Sequence, residues 1–109
     1  MAGKTIPPVF AAACQQCGLG VPIPEYKFDP ERKWRFDYAW LANLVALEIE
    51  GGAWTRGRHT RGGGFIGDME KYNRAAALGW RIVRCTPKQF ENGDVMADLA
   101  EAMTKMVTG

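Results

Sequence analysis

Three carboxylates stand where strand residues are expected to be apolar. Asp37 falls within Arg35-Phe36-Asp37-Tyr38-Ala39-Trp40, and Glu48 and Glu50 fall within Leu44-Val45-Ala46-Leu47-Glu48-Ile49-Glu50. Strand side chains alternate between faces with a period of two. The first stretch therefore puts Phe36, Tyr38 and Trp40 on one face, and Arg35, Asp37 and Ala39 on the other. The second puts Val45, Leu47 and Ile49 on one face, and Leu44, Ala46, Glu48 and Glu50 on the other. A two-residue turn at Ala42-Asn43 would close a hairpin, with Asp37 opposite Glu48 and Arg35 opposite Glu50. Directly opposed residues have Cβ atoms about 4.5–5.5 Å apart, and like charges placed so are destabilising. A divalent cation would offset the conflict, because hard cations take carboxylate oxygens. Two convergent carboxylates can hold Mg²⁺, which orients a water for attack on phosphorus. A solvated outer face is the other reading, and the spacing alone leaves both open.

The stretch Gly51–Gly67 differs in kind. It holds seven glycines, Arg56, Arg58, Arg61, His59 and Trp54, and no acid. A loop this long in a small domain is usually functional or disordered. Its arginines suit phosphate oxygens, and its glycines allow close backbone approach. Trp54 could stack on an exposed base, or simply anchor the loop. His59 reads equally as a surface residue, a proton shuttle or a DNA contact. Lys71 lies one helical turn beyond, within reach of a phosphate or a water, or paired with Asp68. Glu25, earlier in the chain, is a fourth acid for the same sheet, or an ordinary surface residue.

These residues need a scaffold. Val9–Cys17 reads as a short helix stopped by Gly18 and Gly20, and Glu25–Phe28 alternates as a strand. Asp29-Pro30 has turn chemistry. Asp68–Leu78 reads as a helix with Met69, Tyr72 and Ala76 inward and Gly79 as its stop. Trp80–Thr86 alternates as a strand ended by Pro87, and about Asp94–Met106 reads as a helix burying Val95, Leu99, Met103 and Met106. A strand, a helix and a further strand in succession suggest a crossover and a mixed sheet covered by helices. Residues 1–8 read as a flexible tail and 9–109 as one domain, consistent with 109 residues of which 47% are hydrophobic.

The formal net charge of +2 is too mild to establish a nucleic-acid partner. No apolar run approaches the ~20 residues of a membrane-spanning helix, and residues 1–13 make a poor signal peptide. Three cysteines point away from a disulfide framework and towards a reducing cytoplasm. Cys14-x-x-Cys17, with Cys85 and His59, has the makings of a zinc site, but a single CxxC fits core cysteines on one helix face better.

Asp37, ten residues, then Glu48-x-Glu50 at the end of an apolar strand resembles the PD-(D/E)XK nuclease signature. Arg32–Trp40, Ala46–Trp54, Gly57–Gly62, Asp68–Asn73 and Gly79–Arg84 together resemble small phage and prophage endonucleases. These are related to very-short-patch repair endonucleases and Holliday-junction resolvases. The resemblance covers roughly residues 25–87. It implies an α/β, restriction-endonuclease-like αβββαβ core with a C-terminal helix, and Mg²⁺- or Mn²⁺-dependent hydrolysis of DNA phosphodiester bonds. It makes Asp37 and Glu48 metal ligands, helped by the Ile49 carbonyl and by Glu25. Glu50 occupies the motif's lysine position, where it would bind a second metal or orient water, and Lys71 is the expected replacement for the lysine. Lys71 and His59 would serve the scissile phosphate or shuttle protons, and Arg56, Arg58, Arg61 and Trp54 would hold DNA. A homodimer would suit a branched or paired substrate, with structure-selective cutting of a junction or nicking type, in the host cytoplasm if the protein is phage-encoded. Two other classes remain: a non-catalytic DNA-binding module retaining the nuclease fold, and a phage accessory or interaction protein.

Overall fold

The computed structural model describes residues 5–50 and 63–104. Its centre is the hairpin of β2 (Arg35–Trp40) and β3 (Val45–Ile49), in the register that a turn centred on Ala42-Asn43 predicts. Tyr38 faces Leu47, Ala39 faces Ala46 and Trp40 faces Val45. The turn spans Leu41–Leu44, and the Leu44 N–H donates to the Leu41 carbonyl at 3.3 Å. The turn contains no glycine, and Leu44 takes the left-handed conformation, φ +55°.

β1 (Ile23–Lys27) pairs antiparallel with β2, and β4 (Arg81–Cys85) pairs parallel with β3. The sheet is mixed, in the order β1-β2-β3-β4. A parallel pair needs a crossover, and α2 (Gly63–Ala77) lies within it. α1 (Pro8–Gln16) precedes the sheet, and α3 (Pro87–Glu91) and α4 (Val95–Thr104) follow it. The fold is α/β with the expected αβββαβ order and a C-terminal helix. Among the described residues, no helix is long and apolar enough to cross a membrane.

The sheet buries both faces. On one, Tyr38, Trp40, Val45, Leu47 and Cys85 pack against Phe10 and Cys14 of α1 and Val95 and Leu99 of α4. On the other, Phe36, Ala39, Ala46 and Phe28 pack against Ala75 of α2. Phe36 was expected beside Tyr38 and Trp40, yet it lies on the opposite face, stacked on Phe28 at 4.1 Å. The strand turns over at Asp37, so strict alternation fails there.

Other expectations change at element ends. α2 starts at Gly63, not Asp68, inside the glycine-rich stretch. Glycine costs about 1 kcal/mol in a helix relative to alanine, but adding a residue to an existing helix is easier than nucleating one. The inner stripe of α2 is Lys71, Tyr72 and Ala75; Met69 and Ala76 are exposed. Cys14 and Cys17 do not share a buried face, since Cys17 is exposed. Ile6 packs against the α1 side of the core and Pro8 opens α1, so the end of the expected tail belongs to the fold. Met106 lies outside the described residues. Pro87 both ends β4 and opens α3, whose N-cap Thr86 forms a capping box with Gln89.

Asp29 ties the β1–β2 connection to α2. Its Oδ1 accepts from the Glu31 N–H at 3.0 Å, and its Oδ2 from Arg74 Nε at 3.1 Å, although the residue is only 3% exposed. The Glu31 amide and then Arg74 hold its carboxyl below the usual value of 3.8, against the opposing effect of burial. A depressed carboxylate stabilises the fold fully above its unfolded pKa, and the contribution disappears as pH falls through the folded value. Asp29→Asn should therefore lower stability most above about pH 4, and the gap to the wild type should shrink as the solution is acidified. Urea titrations at several pH values measure that gap.

Gly79 ends α2 with φ +92°, and a Cβ there would lie 3.4 Å from Leu44 Cδ1. Gly79→Ala should cost about 1–2 kcal/mol in the same denaturation experiment, from backbone strain.

Candidate active site

The β2–β3 ladder stops at Tyr38 and Leu47. One residue further on, side chains replace the backbone rungs. The Asp37 N–H donates to Glu48 Oε2 at 3.1 Å, and the Ile49 N–H donates to Asp37 Oδ2 at 2.7 Å. Each carboxylate thus takes an amide of the other strand or its continuation. This reciprocal latch orients both acids and satisfies amides that the parting strands would leave unpaired.

The same row continues across the sheet. Glu25 sits between Pro24, opposite Tyr38, and Tyr26, opposite Phe36, which places it across from Asp37. Its backbone is left-handed, φ +51°. On the other side Glu48 pairs with Arg84 of β4. Glu25, Asp37, Glu48 and Arg84 therefore occupy one line over four strands.

α2 closes over Glu48. Lys71 Nζ and the Tyr72 hydroxyl donate to Glu48 Oε1 at 2.9 and 2.8 Å. Glu48 is buried, 8% exposed, so these donors are needed to offset its lost hydration. Burial first, then the Glu48 and Glu50 carboxylates, push the Tyr72 phenol far above its usual range, while Arg84 acts the other way. Tyr72 thus serves as a proton-bearing donor. Glu50 Oε2 accepts from Arg84 Nε at 2.7 Å, and the Arg84 guanidinium lies 4.5 Å from the Tyr72 ring centroid. Glu50 raises the Arg84 pKa further above its ordinary value.

The fold therefore gathers Asp37, Glu48, Ile49 and Lys71, with Glu25 next in the row and Glu50 turned to Arg84. Trp54, Arg56, Arg58, His59 and Arg61 lie outside the described residues. Sequence reasoning missed Tyr72 as a partner of Glu48, and missed Arg84 altogether. The signal for Arg84 was the crossover, because a parallel β3–β4 pair brings an arginine of β4 beside the acids of β3. The three cysteines do not converge on zinc ligation: Cys14 and Cys85 are buried in the core while Cys17 is exposed. Burial, aided by Cys17, pushes the Cys14 thiol up to about 11, and burial, aided by Asp37, does the same to Cys85. A cleft of about 490 Å³, lined by Asp29, Arg32, Trp34, Glu70, Asn73 and Arg74, includes none of the acids of the row.

Among the described residues, no three His, Cys, Asp or Glu side chains form a metal-holding group. The donor set is the carboxylate pair Asp37 and Glu48, oriented by backbone amides. Mg²⁺ is commonly held by one or two carboxylates, with waters and substrate phosphates completing its shell. The pair fits such an ion in chemistry and in number.

Tyr72→Phe removes one of the donors to Glu48 and leaves the ring in place. It should cost about 1.5–3 kcal/mol in thermal or urea unfolding, in the range of a hydrogen bond to a charged group. Comparison with protein-family models, curated proteins and solved structures gave no match for this chain.

Proposed function

We propose that the chain is a Mg²⁺- or Mn²⁺-dependent endonuclease that hydrolyses DNA phosphodiester bonds, of the PD-(D/E)XK kind its sequence resembles. The observation that carries this reading is the convergence of Asp37, Glu48 and Lys71 from three separate elements. Acids that can hold a metal ion and a cation that can meet phosphate charge are groups that metal-assisted phosphoryl hydrolysis uses.

The bound ion would polarise the scissile phosphate and lower the pKa of its water. Asp37 and Glu48 would hold it, with the Ile49 carbonyl and Glu25 alongside. Lys71 carries its ammonium to Glu48 and supplies charge to the phosphate, the role left vacant by Glu50 at the motif's lysine position. Tyr72 fixes the Glu48 carboxylate from the same helix. The basic stretch with Arg56, Arg58, Arg61, His59 and Trp54 follows β3 directly in sequence and would grip the DNA backbone. One copy of so small a domain covers little DNA, which favours a homodimer acting on a junction or nick.

One observation favours a second reading. Both Glu48 oxygens are engaged within the protein, by Asp37, Lys71 and Tyr72. A DNA-binding or accessory protein that kept the fold without cleavage would use Glu48 in this structural way.

A cleavage assay separates the two. Linear duplex, single-stranded and four-way-junction DNA would be incubated with Mg²⁺, Mn²⁺ or EDTA. The wild type should cut only with metal. Glu48→Ala and Asp37→Ala should fall to background, and Lys71→Ala should lose about 100-fold or more. Wild type that shifts DNA on a gel yet cuts nothing with either metal sinks the nuclease reading in favour of the binding module.

A further inference from the structure

We propose that Arg84 is a phosphate-binding residue of this site, and that Glu50 is the positioning residue that holds it there. The inference rests on the DNA-directed reading above and extends it to two residues for which the motif has no such roles.

The placement comes from the sheet. Arg84 is the β4 partner of Glu48 in the parallel register, and paired residues of neighbouring strands point to the same face. That face carries Lys71 and Tyr72, so Arg84 stands beside the acid pair on the side towards α2.

The way it is held matters more. Glu50 takes the Nε–H, the donor nearest the stem, at 2.7 Å. The guanidinium rests over Tyr72, whose hydroxyl is bonded to Glu48. Among the described residues, no acceptor sits on the two terminal nitrogens, and the side chain is 51% exposed. An arginine fixed at Nε with its outer edge in solvent presents the planar fork that matches two phosphate oxygens. Arg81, in the same strand, is used differently: its Nη1 donates to the Ala102 carbonyl and ties β4 to α4.

An exposed Arg–Glu pair is worth only about 0–1 kcal/mol of stability. The arrangement of Glu50 and Arg84 is therefore poorly explained as a structural brace. It does restrict a long side chain in advance of binding, which lowers the ordering cost of gripping an anion. Glu50 two residues beyond Glu48 thus holds a cation next to the acid pair.

The test is DNA affinity against salt concentration, measured with Ca²⁺ or EDTA so that no cleavage is needed. Losing one phosphate contact should weaken binding uniformly across sequences and reduce the salt slope by about 1. Arg84→Ala and Arg84→Gln should both show this, and Arg84→Lys should restore the slope. Glu50→Gln should weaken binding in the wild-type background and add nothing in the Arg84→Ala background, because it acts through Arg84. Melting curves accompany each protein. If Arg84→Ala fails to fold, the Lys and Gln pair decides alone. A lowered melting temperature with unchanged affinity and slope makes Arg84 a structural residue and overturns the proposal. Wild type that binds DNA with these Arg84 effects but never cleaves removes the nuclease reading and leaves the phosphate contact standing. Wild type that cleaves while Arg84 variants bind normally does the reverse. Wild type that binds no DNA overturns both.

Discussion

The structure turns on a conflict between two acids. Asp37 and Glu48 meet where β2 and β3 cease to pair, and Glu48 is buried. Taking an unpaired carboxylate out of water costs several kcal/mol. The chain meets this cost locally by exchanging side-chain acceptors for backbone ones, so that the Asp37 amide serves Glu48 and the Ile49 amide serves Asp37. The remaining Glu48 oxygen needs donors from outside the sheet. Lys71 and Tyr72 supply them, which fixes where α2 lies and which of its faces turns inward. Position and orientation of the crossover helix thus follow from one buried carboxylate as much as from its single fully buried alanine, Ala75.

The same point organises the two cores. Because β2 turns over at Asp37, Phe36 joins the α2 side while Tyr38 and Trp40 remain on the α1 and α4 side. Phe36 then completes an aromatic run with Phe28 and Trp34, whose neighbouring rings stack at 4.1 and 6.3 Å. Lys71 Nζ lies 5.8 Å from the Phe36 ring centroid, so the residue displaced from one core helps to hold the cation above the acid pair. Glu25 marks the same irregularity in β1 through its left-handed backbone. A regular ladder through these positions would have left Asp37 and Glu48 opposed without the amides that now separate their demands.

Much of this was legible in the sequence, for identifiable reasons. The hairpin register followed from a turn placed at Ala42-Asn43, and the faces from apolar alternation, which holds from Tyr38 to Trp40 and from Val45 to Leu47. The mixed sheet followed from a helix between two strands, whereas the pairing of Lys71 with Glu48 depends on how the crossover helix lies on the sheet. What escaped depended on interactions that no period encodes. Phe36 changes face because hydrogen bonding at Asp37 overrides alternation. α2 begins early because glycine propensity is a weak local penalty on an established helix. Asp29 reads as a turn former, and does bond the Glu31 amide, but its burial under Arg74 is a contact across 45 residues. α3 was visible in Thr86-Pro87-Lys88-Gln89, where a capping box coincides with a proline that was read only as a stop.

Glu50 shows how one further acid on a strand reshapes its surroundings. A lysine at that position would have stood beside Glu48 as a cation of the same strand. A glutamate there instead adds a third carboxylate to a site that already has two, and strand geometry keeps it on the face of Glu48. The charge is met by neighbours from β4 and α2. β4 answers with Arg84 on Glu50, and α2 answers with Lys71 on Glu48. Tyr72 joins the two pairs, since its hydroxyl touches Glu48 while its ring carries the Arg84 guanidinium. Two cations therefore stand at these acids, and neither comes from the strand that carries them. Cationic chemistry at this site depends on the crossover helix and the parallel strand being in place, which ties the site to the assembly of the whole sheet rather than to the hairpin alone.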